Sequence, residues 1–214
     1  IKRGFTTGAD EFFYVTMEKI KKWRIEREFY TRIEKNKTLV NYVFKSPREV
    51  KHIVVRPIDL KYVVLLINKD KDELKGTNVL KYILWGEEKG YNKRPTCRGR
   101  RRWYDLGLRE PAPLIWMKGV WKRHVTFLNE AKAYVHQQLY ELHVKDSQYI
   151  IPLAAYLNST LKVLFSELWG RVNFGQGVLW IATYEAASHP VIDLKKIGKE
   201  TLDAIIKIFH KLSK

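Results

Sequence analysis

The chain has 214 residues, 45% of them hydrophobic, so it is long enough for one large domain or two small lobes, and a disordered chain is excluded. Forty Lys and Arg residues against 23 Asp and Glu residues give a formal net charge of +17, which predicts a negatively charged macromolecular partner. Cys97 is the only cysteine, which excludes an internal disulfide and a cysteine-based zinc site and favours a reducing, cytoplasmic location.

The positive charge is concentrated in the first part of the chain. Residues 1–122 hold 29 basic and 15 acidic side chains, whereas residues 123–214 hold 11 and 8. We therefore predict two lobes, a basic, strand-rich one over 1–122 that carries the anion-binding face and one over 123–214 built from a sheet and long helices. No apolar run approaches the ~20 residues needed to cross a bilayer, so no membrane partner is expected.

The first half of the chain combines turns and strands. A turn at Thr7-Gly8 precedes a β-prone run, Phe12 to Thr16, which predicts a strand. Ser46-Pro47-Arg48-Glu49 is a capping box and predicts a short helix that begins at Pro47. Tyr62 to Ile67 is a continuous apolar run, typical of a central strand buried on both faces.

A helix is predicted over residues 77–89, because Leu80, Ile83 and Leu84 have helical spacing and Gly90 can form a left-handed cap. Farther along, three β-prone segments predict a small sheet, with a turn at Lys118-Gly119 between the first two: Leu114 to Met117, Val125 to Leu128 and Leu139 to Val144.

The last third of the chain is mostly helical in pattern. Ser147 to Trp169 shows a broad apolar face that includes Leu161, Leu164 and Leu168, which predicts one long helix. Val178 to Tyr184 predicts a strand, and Glu200 to Leu212 predicts an amphipathic closing helix. Strands and helices without a regular βαβ alternation indicate an α+β fold, with a mixed or antiparallel sheet and flanking helices.

One stretch, Tyr91 to Arg109, is exceptionally basic, with seven Lys or Arg residues and one acid. These cations would repel one another unless an anion neutralises them, and Gly90, Pro95 and Gly99 keep them from spreading along one helix. Trp103 and Tyr104 follow the arginines directly and offer rings that could stack on a base or anchor the loop in the core. The stretch is therefore predicted to contact a nucleic acid.

Motifs for catalysis and cofactor binding are mostly missing. Gly175-Gln176-Gly177 comes too late and lacks the third glycine of a Rossmann cofactor turn, so we interpret it as a structural turn. Asp59 with Glu73 and Lys75 has the residue types of a Mg²⁺-dependent nuclease, but Glu73 lies in a hydrophilic connection rather than on a buried strand. The six histidines lack zinc-site spacing. No catalytic residue and no metal site are predicted.

Several segments together resemble a known family, the TaqI-like C-terminal specificity, or target-recognition, domain of adenine-specific DNA methyltransferases and fused restriction-modification enzymes. The resemblance spans most of the chain. Its carriers are GFTTGADEFFY at residues 4–14, Trp103-Tyr104, Tyr156-Leu157-Asn158-Ser159 and Asn173-Phe174-Gly175-Gln176-Gly177. The family shares its architecture with specificity subunits of multisubunit restriction enzymes, and the long arginine tract departs from its pattern.

The resemblance implies an α+β reader of duplex DNA with no cofactor in this chain. A methyltransferase catalytic domain, expected upstream in the same or a separate chain, would bind S-adenosylmethionine and flip the adenine. An RNA-binding module, a specificity subunit and a Mg²⁺-dependent nuclease remain alternatives.

The candidate DNA contacts combine base readers, phosphate contacts, a second contact point near the N-terminus and the two aromatic residues. Arginine can bind guanine O6 and N7 bidentately, whereas lysine mainly contacts phosphate. The predicted set is Thr6, Thr7, Gly8, Lys93, Arg94, Arg98, Arg100, Arg101, Arg102, Trp103, Tyr104, Lys118, Lys122 and Arg123. Asn158 and Ser159 are predicted to be helix-packing polar residues rather than readers.

Overall fold

The computed structural model describes residues 1–120, 123–172 and 178–213. Its strands are β1 (Lys2–Arg3), β2 (Tyr14–Val15), β3 (Thr31–Glu34), β4 (Lys37–Val40), β5 (Tyr42–Phe44), β6 (Val54–Val55), β7 (Tyr62–Val64), β8 (Leu114–Met117), β9 (Gly119–Val120), β10 (Thr126–Asn129), β11 (Tyr134–Val135), β12 (Leu139–Leu142) and β13 (Leu179–Trp180). Its helices are α1 (Asp10–Phe13), α2 (Met17–Trp23), α3 (Asn78–Glu88), α4 (Pro95–Arg98), α5 (Ile150–Leu157), α6 (Thr160–Trp169), α7 (Thr183–Ala187) and α8 (Lys199–Leu212).

The chain forms two compact units that interleave along the sequence. The larger unit contains Ile1–Gly4, Lys45–Asp59 and Pro111–Lys214, and the smaller unit contains Phe5–Phe44 and Leu60–Glu110. The boundary between lobes that we predicted at residue 122 therefore differs from the division seen here, since it falls inside the larger unit. Contacts between distant segments decide which unit a residue belongs to, and a count of charges along the chain does not contain that information.

The larger unit is built on a five-stranded sheet with the order β1-β12-β8-β10-β6. β8 pairs antiparallel with β10 and β12, as predicted, whereas β10 pairs parallel with β6. The turn predicted at Lys118-Gly119 is wrong, because Gly119 begins β9 and pairs with β13. Helix α5 packs against β10 and α8 over a core that contains Trp116, Tyr140 and Phe209.

The smaller unit has β7 between β2 and β5, so the strand predicted from Tyr62 is central, although its ladder ends at Val64. Helix α3 begins after Thr77, whose hydroxyl accepts a hydrogen bond from the Leu80 amide, and Gly90 follows with φ +75°, so the predicted helix and its left-handed cap are confirmed. Of the residues whose spacing indicated the helix, Ile83 is buried and Leu84 is 45% exposed, and Tyr82 is buried as well.

Three further predictions of elements are corrected by the structure. Phe12 and Phe13 belong to α1, so the strand predicted from Phe12 to Thr16 is reduced to β2. The strand predicted over Val178 to Tyr184 ends at Trp180, and α7 begins at Thr183. The long helix predicted over Ser147 to Trp169 is divided at Asn158–Ser159 into α5 and α6. The α+β architecture, the capped turn at Ser46 and the closing helix are confirmed.

Candidate nucleic-acid interface

Arg100 lies at the centre of the basic stretch and is bound to the protein's own backbone. Its guanidinium donates hydrogen bonds to the Thr6 carbonyl at 2.6 Å, the Thr7 carbonyl at 2.9 Å and the Trp103 carbonyl at 3.0 Å. A fork held by three carbonyls has no free pair of donors for the O6 and N7 of guanine. In this conformation Arg100 therefore braces the segment that precedes α1, and its contact with DNA stays a prediction.

The other polar residues near the N-terminus also have partners within the protein. Thr7 is fully buried and its hydroxyl donates to Asp10, while its carbonyl also accepts from the buried Cys97 thiol. Arg94 donates to the Gly8 carbonyl at 3.3 Å and pairs with Glu11 at 3.0 Å. Gly8 has φ +75°, and a Cβ there would lie 2.6 Å from Thr96 Cβ, so only glycine fits.

The predicted second contact point at Thr6, Thr7 and Gly8 is thus an internal brace, because arginine side chains from the basic stretch bind its carbonyls. Arg102 is similarly committed, since it pairs with Asp105 at 2.6 Å and Asp70 at 3.2 Å. The hydrogen bond that Arg102 donates to Asp105 is the main cause that raises the pKa of Arg102 above its ordinary value. The cations of the stretch that remain exposed are Lys93, Arg98 and Arg101.

The two aromatic residues after the arginines anchor the loop. Trp103 is 8% exposed and Tyr104 is 3% exposed, so neither presents a ring face on which a base could stack. The Trp103 indole donates to a carboxylate oxygen of Glu87 at 2.8 Å, and the Tyr104 hydroxyl donates to the Lys69 carbonyl at 3.1 Å. Both polar atoms are thereby satisfied inside the smaller unit, as buried Trp and Tyr require.

A different cationic surface lies in the larger unit. The capped turn Pro47–Glu49 and the segment after it form one wall of a cleft of about 200 Å³. Its lining contains Arg48, Lys51, His52 and Arg123 and no Asp or Glu residue. Arg48, Lys51 and Arg123 are exposed and make no ion pair within the described part of the chain. Arg123 was predicted, whereas Arg48 and Lys51 were missed.

A second cleft of about 410 Å³ adjoins the first and shares Pro47 and Met117 with it. Its lining also lacks acidic residues and consists of Lys45, Ser46, Pro47, Met117, Gly119, His136, Gln138, Leu139 and Trp180. Lys118 flanks it, with its ammonium 4.5 Å from the centre of the Trp180 ring. Burial, reinforced by the charge of Arg3, lowers the pKa of Lys118.

We call the residues Lys45, Arg48, Lys51, Lys118 and Arg123, together with the two clefts, the cationic face. Glu49 lies beside it but points its carboxylate at the backbone amides of Lys45 and Ser46, at 3.1 and 3.0 Å. Burial of that carboxylate raises the pKa of Glu49. Among the residues the structure describes, the two clefts of the face are thus lined by basic side chains and by no Asp or Glu residue.

A signal for this surface was present in the sequence. Residues 50–58 carry Lys51, His52 and Arg56 without an acid, directly after the capped turn. Lys122 and Asn173 to Gly177, which belonged to the predicted site and to the family resemblance, lie outside the described residues.

Asn158 connects α5 to β10 through its side-chain amide, which donates to the Thr126 carbonyl at 2.9 Å and accepts from the Thr126 amide at 3.1 Å. Ser159 is the N-cap of α6 and accepts a hydrogen bond from the Lys162 amide. Both residues therefore have packing and capping contacts, in agreement with the prediction that they are not readers.

The carboxylates of the nuclease alternative have local structural partners. Asp59 accepts a hydrogen bond from the Arg56 amide at 3.0 Å, and Glu73 accepts one from the Asp70 amide at 2.7 Å. Lys75 pairs with Asp72 at 2.8 Å. Within residues 1–120, 123–172 and 178–213, no group of three or more His, Cys, Asp or Glu residues is arranged to hold a metal ion.

In the part of the chain that the structure describes, every helix is too short or too polar to cross a membrane.

Comparisons with known proteins place this fold among the C-terminal domains of restriction-modification methyltransferases. Residues 1–213 match the family model described as the C-terminal domain of the Type II methyltransferase M.Eco57I, and the chain belongs to that family. The class of protein predicted from the sequence, a C-terminal domain of restriction-modification enzymes, is thereby confirmed.

One curated relative is the Type II methyltransferase M.AccI from Acinetobacter calcoaceticus, which is 23% identical over 217 residues. The match covers 99% of this chain and 38% of M.AccI, so the chain spans well under half of that relative. Among solved structures, the type IIG restriction endonuclease BpuSI superposes with a TM-score of 0.64 at 11% identity. That similarity covers 98% of this chain and 25% of BpuSI, and it shows a shared fold.

Proposed function

We propose that this chain binds duplex DNA and recognises the target sequence for an adenine-specific methyltransferase of a restriction-modification system. The observation that carries the proposal is the cationic face, where five basic residues surround two clefts with no acidic lining. Membership in the M.Eco57I C-terminal family supports it, as does similarity to a type II methyltransferase and a type IIG endonuclease. The site of action would be the cytoplasm.

The division of labour follows from what the sequence contains. No glycine-rich turn of the Rossmann type is present, so S-adenosylmethionine would bind in a catalytic domain outside this chain. That domain would supply methyl transfer to adenine. The present chain would supply affinity through phosphate contacts and selectivity through base contacts.

Phosphates are the ligands that fit the cationic face best. Each phosphate that a Lys or Arg residue neutralises releases counterions, so the slope of log K against log salt changes by roughly 0.9 per contact. Arg48, Lys51 and Arg123 surround one cleft and are exposed. Their positions suit the backbone of a duplex, whereas Arg100 and Arg102 are already bound within the protein.

The test is binding of the intact methyltransferase to duplex DNA at several salt concentrations, before and after Arg48, Lys51 and Arg123 are changed together to alanine. We expect weaker binding and a slope smaller by roughly 2 to 3, from roughly 0.9 per lost contact. A matched control removes three exposed cations elsewhere, Lys195, Lys199 and Lys207 on or next to α8, and should leave the slope unchanged.

Competition separates this function from an RNA-binding module. Duplex DNA should displace a labelled duplex at concentrations where single strands and RNA do not. Equal competition by RNA, or equal effects of the two triple variants, would contradict the proposal.

A further inference from the structure

The turn between β11 and β12 carries two neighbouring glutamines with different surroundings. The turn comprises His136, Gln137 and Gln138, and the Leu139 amide closes it by donating to the His136 carbonyl at 3.0 Å. Gln137 is held by Arg3, which donates to its backbone carbonyl at 3.3 Å and to its side-chain oxygen at 3.4 Å. Gln138 is exposed, and its side-chain amide has no hydrogen-bond partner within the described residues.

The backbone under Gln138 is nevertheless well supported. β12 begins directly after it and pairs with both β1 and β8. The Gln138 amide nitrogen also donates to a ring nitrogen of His136 at 3.3 Å. A side chain whose amide is uncommitted on a fixed backbone can bind a ligand at a smaller entropic cost than one on a mobile loop.

Gln138 also lines the larger cleft of the cationic face. Trp180 forms the neighbouring wall and packs so closely on β9 that a Cβ at Gly119 would lie 3.3 Å from the indole ring. Lys118 lies over that ring, and Lys45 lines the same cleft. The uncommitted amide therefore lies beside cations suited to phosphate, in the turn that leads into β12.

The chemistry of the amide selects the class of ligand. A glutamine side chain carries one donor group and one acceptor, and this pair matches the N7 acceptor and N6 donor on the major-groove edge of adenine. We propose that Gln138 is a specificity-determining residue that reads an adenine edge in the target duplex, while Lys45 and Lys118 contact the flanking phosphates. This inference rests on the proposed function and names a reader for it.

The experiment uses the intact methyltransferase and a pool of duplexes with a randomised segment, from which the preferred base pairs of the unmodified protein are first determined. Gln138→Leu keeps similar bulk and removes both hydrogen-bonding groups. It should reduce discrimination at one A·T pair by about 5- to 150-fold, the range that corresponds to one bidentate contact. Preferences at the other positions and the salt dependence should not change.

Gln138→Glu provides a second, independent readout. A carboxylate can only accept hydrogen bonds, so it has no donor for adenine N7, and its usual major-groove partner is the cytosine N4 donor. We expect the preference at the same position to shift from adenine towards cytosine. Gln148→Leu is the control, since Gln148 is also exposed but precedes α5 and donates to Asp146.

The outcomes distinguish this inference from the proposed function. If the unmodified protein fails to prefer duplex DNA, the proposed function is refuted and the reader with it. If the protein selects a sequence and both Gln138 variants keep every preference, only the assignment of Gln138 fails. Uniform weakening on all duplexes by Gln138→Leu would likewise overturn it, because a phosphate or structural role has that signature.

Discussion

Arg100 illustrates how a residue in a basic tract acquires a structural role. Its guanidinium joins Trp103 to Thr6 and Thr7 through backbone carbonyls, so the planar fork matters more than the charge. We predict that Arg100→Lys destabilises the chain by about 1.5–3 kcal/mol, the usual range for hydrogen bonds to a charged group. Denaturant unfolding measures this loss. Arg101→Lys, at a side chain that is 86% exposed, should leave stability unchanged.

Lys162 is the most unusual charge in the core. It is fully buried in α6, its ammonium has no hydrogen-bond partner among the residues the structure describes, and it lies 5.0 Å from the centre of the Trp116 ring. Burial lowers the pKa of Lys162 from its ordinary 10.5 to about 8. Burial is the main cause that lowers the pKa of His124 and His189, and the positive charge of Lys162 lowers both pKa values further.

Because the pKa of Lys162 is lower in the folded state, the unfolded chain binds more protons between about pH 8 and 10.5. The free energy of unfolding should therefore rise with pH across that window. Lys162→Met should remove this rise and stabilise the protein at pH 7 by on the order of 3 kcal/mol. Urea midpoints at pH 7 and pH 9.5 test both statements, and an unchanged pH dependence in the variant would disprove them.

At the scale of elements, the break between α5 and α6 depends on one side chain. Asn158 ends α5 and forms hydrogen bonds to both backbone groups of Thr126 and to the Ala154 carbonyl. Asn158→Leu would leave buried backbone groups of β10 without partners, so we expect a loss of about 2–4 kcal/mol. Thermal unfolding should show it, while Leu164→Ser at a 54% exposed position of α6 should change stability little.

Local signals explain which elements the sequence could predict. The capping box at Ser46, the N-cap at Thr77 with Gly90, and the amphipathic pattern of α8 depend on residues a few positions apart. The break at Asn158 was not predictable in the same way, because apolar periodicity continues through it and the bonding partner Thr126 is 32 positions away.

The residues of the candidate site also divide into those that the local sequence could predict and those that depend on distant contacts. Arg123 and Lys118 could be proposed from composition, since an exposed cation needs no particular partner to be recognised. The structural role of Arg100 could not be predicted from composition, because the Thr6 carbonyl that accepts its hydrogen bond is 94 positions away. Arg48 and Lys51 become prominent only when the fold brings Arg123 to the same cleft.

At the scale of the whole molecule, both units are basic. The smaller unit holds 21 basic and 13 acidic side chains, and the larger holds 19 and 10. The predicted concentration of charge over residues 1–122 therefore belongs to neither unit alone. An anion-binding role can be assigned only by asking where, in the described part of the chain, cations line a cleft without acidic residues, and that criterion favours the cationic face.

The separation of recognition from chemistry gives a prediction for the chain as a whole. Its sequence has no glycine-rich cofactor turn, so the isolated 214-residue chain should neither bind S-adenosylmethionine in calorimetry nor transfer a methyl group to DNA. The intact methyltransferase should do both. Saturable binding of the cofactor by the chain alone would contradict this division.

The pairing of β1 with β12 has a consequence for biosynthesis. Lys2 is opposite Glu141, so the first strand leaves the ribosome about 140 residues before its partner exists, an interval of roughly 7–28 s at ordinary rates of translation. The residues of the smaller unit end at Glu110 and are complete before that. The N-terminal strand therefore stays unpaired until β12 is made, whereas every residue of the smaller unit has been synthesised by then.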